Sequence, residues 1–141
     1  MNYAIVIIVF ILDQLSKVLA LKYLAPVGSI PIIKNIFHLT YVENRGAAFG
    51  ILQNQKLLFI VFALLVLSSI WFYAHNNKPD KIMVYGLSLV AGGALGNLAD
   101  RIRLGFVVDY FHIVNFPVFN IADFAVVIGI ILISIFILKY D

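Results

Sequence analysis

The chain has 141 residues, 63% of them hydrophobic and only 12% charged, with a mean hydropathy of +1.04. A soluble domain carries about 25% charged residues, so this composition specifies an integral membrane protein, and the length allows a single domain, residues 1–141. The net charge of +3 is spread along the chain, which gives no argument for a nucleic-acid surface, and the absence of cysteine removes disulfides and thiolate chemistry.

The first apolar run, Tyr3–Leu24, has 22 residues and reaches about 33 Å as a helix. No Lys or Arg precedes it, and Asp13, Gln14 and Lys17 interrupt it; both features argue for a retained span over a cleaved signal peptide. Asp13 and Lys17 share a helix face at i and i+4. They read either as an ion pair that orients the helix or as a buttress to a polar site in its neighbours. Lys17 and Lys22 also have stems long enough to snorkel toward the interface.

Residues Ala25–Lys56 form a polar and aromatic connection in which Ile30–Ile33 and Phe37–Val42 have strand character. It contains Glu43-Asn44-Arg45-Gly46-Ala47-Ala48-Phe49-Gly50, where small residues let another chain approach. The segment reads as a plain turn or as a substrate-contacting loop. A second run, Leu57–Ala74, has no charge, and His75–Lys81 is a tight polar turn.

In the third run, Ile82–Ala99, Gly92 and Gly96 suit close helix packing. Asn97, Asp100 and Arg101 follow on one face, where an Asp100–Arg101 pair would be architectural. The connection Arg101–Phe119 contains a strand-like Gly105–Phe111, with Asp109 in apolar surroundings. The last run, Ile121–Leu138, opens with Asn120 placed as N-cap and Asp123 at the third helical position, which favours an anion.

A carboxylate inside a hydrocarbon layer costs roughly 2.5–3.5 kcal/mol at a helix centre, so an acidic residue there is a functional candidate by default. Asp100, Asp109 and Asp123 all lie in or beside apolar runs. Burial of two carboxylates together leaves one protonated and the other free to act as a base, an arrangement that can hydrolyse an amide. His38, His75 and His112 lie apart in sequence, and no serine stands in an elbow motif. A metal site built from Asp109, His112 and Asp123 is a competing arrangement. Composition alone also admits a carrier working through Asp13, Asp109 and Asp123, or a scaffold packed through Gly92 and Gly96.

Four spans put both termini on one side and the two long connections on the other. Lys78, Lys81 and Lys139 then oppose Lys34, Arg45, Lys56, Arg101 and Arg103. Read literally, this count puts the long connections in the cytoplasm, but arginines held in a site report topology poorly.

Asp13-Gln14-x-x-Lys17, Asn44-x-Gly46-Ala47-Ala48-Phe49, Gly96-Asn97-x-x-Asp100-Arg101, Val107-Val108-Asp109 and Phe119-Asn120-x-Ala122-Asp123 occur in this order over nearly the whole chain. Together they resemble the signal peptidase II family, the bacterial lipoprotein signal peptidases. The resemblance implies an all-α integral membrane protein: a four-transmembrane-helix bundle with a small extracytoplasmic β-rich cradle, both termini cytoplasmic, in the bacterial cytoplasmic membrane. It makes Asp109 and Asp123 the catalytic pair, with Asp13, Lys17, Asn44, Gly46, Asn97, Asp100, Arg101 and Asn120 binding substrate or supporting the site. The implied substrate is a diacylglyceryl-prolipoprotein, cut before its lipidated cysteine by a monomer among membrane lipids, with no cofactor. Two departures from many relatives are Phe124, where serine is common, and Tyr110-Phe111-His112, where a second acidic residue is common.

Overall fold

The computed structural model describes residues 1–46 and 52–140. Its elements are α1 (Tyr3–Leu19), continued by a π-helical turn (Ala20–Leu24); β1 (Ser29–Ile33); β2 (Phe37–Asn44); α2 (Lys56–Asn76); α3 (Lys81–Arg103); β3 (Val107–Ile113); and α4 (Ile121–Tyr140). Each predicted run corresponds to one helix, and all four are long and apolar enough to cross a membrane. Asn2 caps α1 through the Ala4 and Ile5 amides, and Asp80 caps α3 through Ile82.

The third helix runs four residues past its predicted end. Nothing between Ala99 and Arg103 breaks it; the break comes at Gly105, whose φ of +86° suits glycine. Arg101 therefore sits on the helix rather than opening the connection. The strand after it is shifted as well, to Val107–Ile113, because Gly105 belongs to the turn that stops the helix.

At the centre is α3, packed against α1, α2 and α4. Small residues set its distance from α1 and α4. A Cβ on Gly92 would lie 2.8 Å from the Val9 Cβ, and one on Gly96 would collide with the Asp13 carboxylate. The predicted Gly92–Gly96 face thus packs on α1, and Asp13 lies against it.

The strands form one antiparallel sheet in the order β1-β2-β3. Leu39 faces Phe111, and Val42 faces Asp109 across an irregularity in register. The sheet joins the first long connection to the third, so both lie at the same end of the helices. Val108 and Tyr110 of β3 pack on Ala20 and Leu24 at the end of the first helix.

Candidate active site

Lys17 and Asp13 lie one turn apart on α1 and pair at 2.8 Å, with 1% and 0% of their side-chain surfaces exposed. Lys17 is therefore not directed to the interface. Asp100 is equally buried and accepts a second ion pair from Lys17 at 3.1 Å. Its other acceptor sites are filled by the Val108 amide at 3.1 Å and by Gln14 at 3.1 Å. The expected Asp100–Arg101 pair does not form. Consecutive residues on a helix point about 100° apart, and the Arg101 guanidinium instead lies 4.8 Å from the centre of the Phe59 ring and donates to the Gly46 carbonyl.

Asp13 also accepts the Ala122 amide at 2.9 Å. That amide is one of the unpaired N–H groups of the first turn of α4, so a carboxylate from α1 caps α4. Asn120 caps the next position: its Oδ1 accepts the Asp123 amide at 2.9 Å, and Asp123 accepts the Asn120 amide at 3.3 Å. The pair is reciprocal, in the manner of a capping box.

The same Asn120 side chain reaches the other carboxylate, its Nδ2 donating to Asp109 Oδ1 at 2.6 Å. Asn44 donates to Asp109 Oδ2 at 3.0 Å and accepts the Gly46 amide. Asn97 receives Lys17 at 2.9 Å on its Oδ1 and turns its Nδ2 to Asp123 at 2.7 Å. Asp109 is 2% exposed. Burial, followed by the charge of Asp123, pushes its carboxyl up to about 7 against the opposing hydrogen bonds from Asn44 and Asn120.

Every residue singled out in the sequence as site or support enters this network. Its members come from α1, β2, α3, β3 and α4 and the turn at Gly46. Ala47, Ala48 and Phe49 lie outside the described residues. Four participants went unassigned. Gln14 bridges Asp13, Asp100 and the Gly96 carbonyl; its place inside an apolar run was its signal. Ser16 hydrogen-bonds the Tyr110 hydroxyl at 2.5 Å, and Phe59 lies under Arg101; neither has a sequence signature.

The three histidines do not join the site. His38 and His112 face each other across β2 and β3, their rings 5.8 Å apart, while His75 stacks on Trp71. Alternation along β3 turns His112 to the face opposite Asp109, where its Nδ1 lies 3.3 Å from Thr40 Oγ1. Among the described residues no three acidic or histidine side chains could hold a metal ion, which removes the Asp109–His112–Asp123 arrangement.

Beside the network is a cavity of about 610 Å³, with Asn44, Asn97, Arg101 and Asp123 on its polar side and Phe116, Val118, Phe119, Phe124 and Val127 among its apolar walls. Phe124, the departure noted in the sequence, is therefore a wall of this cavity.

Four membrane-length helices, with a buried polar network where the sheet meets them, define a polytopic membrane protein. The model of the family described as signal peptidase (SPase) II matches residues 5–139. The lipoprotein signal peptidase of Clostridioides difficile is 51% identical over 144 residues, covering 100% of this chain and 97% of that protein. That of Halothermothrix orenii is 48% identical over 141 residues, covering 100% and 97%. A bacterial membrane enzyme solved in meso at 1.9 Å superposes with a TM-score of 0.89 at 33% identity, covering 99% of this chain and 93% of that one. Another, solved at 2.3 Å, gives 0.88 at 34%, covering 97% and 87%. The chain belongs to the signal peptidase II family and is a peptidase.

Proposed function

We propose that this peptidase removes the signal peptide from diacylglyceryl-modified prolipoproteins, cutting before the lipidated cysteine, with Asp109 and Asp123 activating water. The observation that carries this reading is that two carboxylates, one on β3 and one at the head of α4, are held by a single asparagine beside an apolar cavity.

One carboxylate takes a proton from water as the water oxygen bonds to the scissile carbonyl carbon. The other gives its proton to the carbonyl oxygen. Collapse of the tetrahedral intermediate breaks the C–N bond, and a proton passes to the departing nitrogen, leaving a free acid and a free amine. The raised affinity of Asp109 for its proton suits the acid role. Asp13, Lys17, Asp100 and Asn97 hold the pair in place, while Asn44, Gly46 and Arg101 border the substrate. A single copy supplies both aspartates, so a monomer suffices.

In this reading the four helices form a transmembrane bundle in the bacterial cytoplasmic membrane. Both termini are cytoplasmic, and the sheet is an extracytoplasmic cradle. The apolar walls leave the diacylglyceryl chains in a hydrocarbon-like setting, which avoids an extraction cost of roughly 0.8 kcal/mol per CH₂. A carrier reading fits membership of a peptidase family less well.

The test is cleavage of matched lipidated and unlipidated proproteins by the purified protein. Cleavage of the lipidated form alone, lost in Asp109→Asn and in Asp123→Asn, is expected. Equal rates on both forms would remove the lipoprotein assignment, and a fully active Asp109→Asn enzyme would remove the aspartate mechanism.

A further inference from the structure

The edge strand β1 is apolar but for Ser29, and among the described residues nothing packs over it. All five residues of β1 are exposed. Ile32 is 54% exposed, Ile33 52%, Ile36 58% and Phe116 63%. The Val114 amide donates to the Ile36 carbonyl at 3.0 Å, so the tip of the β1–β2 hairpin and the segment after β3 form one apolar end of the sheet. Lys34 stands exposed in the turn.

Contacts with the first helix set the depth of this sheet. Tyr110 of β3 bonds Ser16, and Val108 and Tyr110 pack on Ala20 and Leu24. Ser16 lies about 12 Å along the helix axis from Leu24. The sheet therefore stands beside the last turns of the first helix and not beyond them. Over those same turns Leu15, Val18, Leu19 and Tyr23 expose half or more of their surfaces, and Lys22 lies over the Tyr23 ring. A Lys–Tyr pair at the end of an apolar span marks the headgroup level. The contacts of β3 with Ser16, Ala20 and Leu24 bring the sheet to that level, and Phe116 at its apolar end also lines the cavity beside the site.

We infer that the β1–β2 hairpin tip is a lipid anchor, inserted at the boundary between headgroups and acyl chains of the leaflet that holds the site, with Lys34 reaching lipid phosphate. The inference rests on the proposed membrane orientation. An edge strand with both faces apolar is a liability in water, whereas in the interface its side chains are buried to the depth of an amphipathic segment. The anchor keeps the sheet, and Asp109 with it, against the bilayer from which a lipid-bound substrate arrives.

The natural absence of cysteine makes the test direct. Single cysteines replacing Ile33, Ile36 or Asn77 are labelled with the environment-sensitive dye NBD, one protein copy per nanodisc of phosphatidylcholine and phosphatidylglycerol. Without substrate, dye at 33 and 36 should emit to the blue of dye at 77 and lose emission when doxyl-labelled lipids are included. Water-like emission at both tip positions, unaffected by doxyl lipid, overturns the anchor. So does a blue shift that appears only on adding substrate peptide or a second copy per disc, since peptide or protein would then be the occupant. Cleavage assayed on the same discs separates the two readings. Lipid quenching without cleavage counts against the proposed prolipoprotein substrate and mechanism alone, and cleavage without quenching counts against the anchor alone.

Discussion

Asn97 shows how a neutral side chain transmits the order of a charged cluster. Lys17 and Asn120 both donate to its Oδ1, so its Nδ2 has one remaining direction, toward Asp123. Lys17 thus acts on the site through the asparagine while neutralising Asp13 and Asp100. Replacing Lys17 by Met would leave two carboxylates in a dry interior, and breaking a buried pair costs about 3–5 kcal/mol. Loss of folded protein in thermal denaturation of detergent-solubilised Lys17→Met is the expected result. The Asp109 carboxyl predicts a pH dependence. Its proton is lost around pH 7, so the aspartate pair, titrating as a unit, should lose activity on the alkaline side near that pH. The Asn44 hydrogen bond favours the ionised form. Its removal in Asn44→Ala makes the proton harder to lose, so the alkaline limb of kcat/KM should move to higher pH; a shift to lower pH would contradict this account.

The start of α4 and the middle of α3 carry the most consequence among the secondary elements. Asn120 caps α4 and holds Asp109 with one side chain. Asn120→Ala removes a cap worth about 0.5–2 kcal/mol and one of two amide donors on Asp109. A fall in kcat out of proportion to a modest loss of thermal stability is expected, measured on the same preparation. In α3, a methyl at position 96 meets the Asp13 carboxylate, which holds the Ala122 amide in the first turn of α4. Overpacking of this kind costs about 1–3 kcal/mol, so Gly96→Ala should lower both thermal stability and turnover. A methyl at Gly28, where φ is +81° but no atom lies within 4 Å, would add strain without touching the site.

The sheet bears on the topology of the chain. Because β1, β2 and β3 pair, residues 29–44 and 107–113 share one end of the helices, and the turn between α2 and α3 lies at the other. Arg101, committed to Gly46 and Phe59, is a poor counter of inside charge. Single cysteines at Asn54 and Asn77 should therefore react with an impermeant maleimide from opposite sides of a sealed vesicle. Reaction of both from one side would refute four spans.

Much of this protein was legible from its residues because the bilayer constrains sequence so strongly. Backbone polar groups must be paired inside hydrocarbon, so four apolar runs read as four helices. Carboxylates and Lys17 inside those runs are costly enough to mark themselves as functional candidates. The N-cap role of Asn120 was local chemistry, readable from Asn120-x-x-Asp123. What the tertiary structure alone decided was partnership. Sequence proximity suggested Asp100 with Arg101, but helix geometry points them apart, and Asp100 meets Lys17 from another helix. Nothing local indicated that Asp13 would cap α4, that Tyr110 would bond Ser16, or that Phe59 would lie under Arg101. A buried polar atom must find some partner, which its own sequence can announce. Which partner it finds depends on how close two helices come, and here glycines at positions 92 and 96, far along the chain from Val9 and Asp13, set that distance.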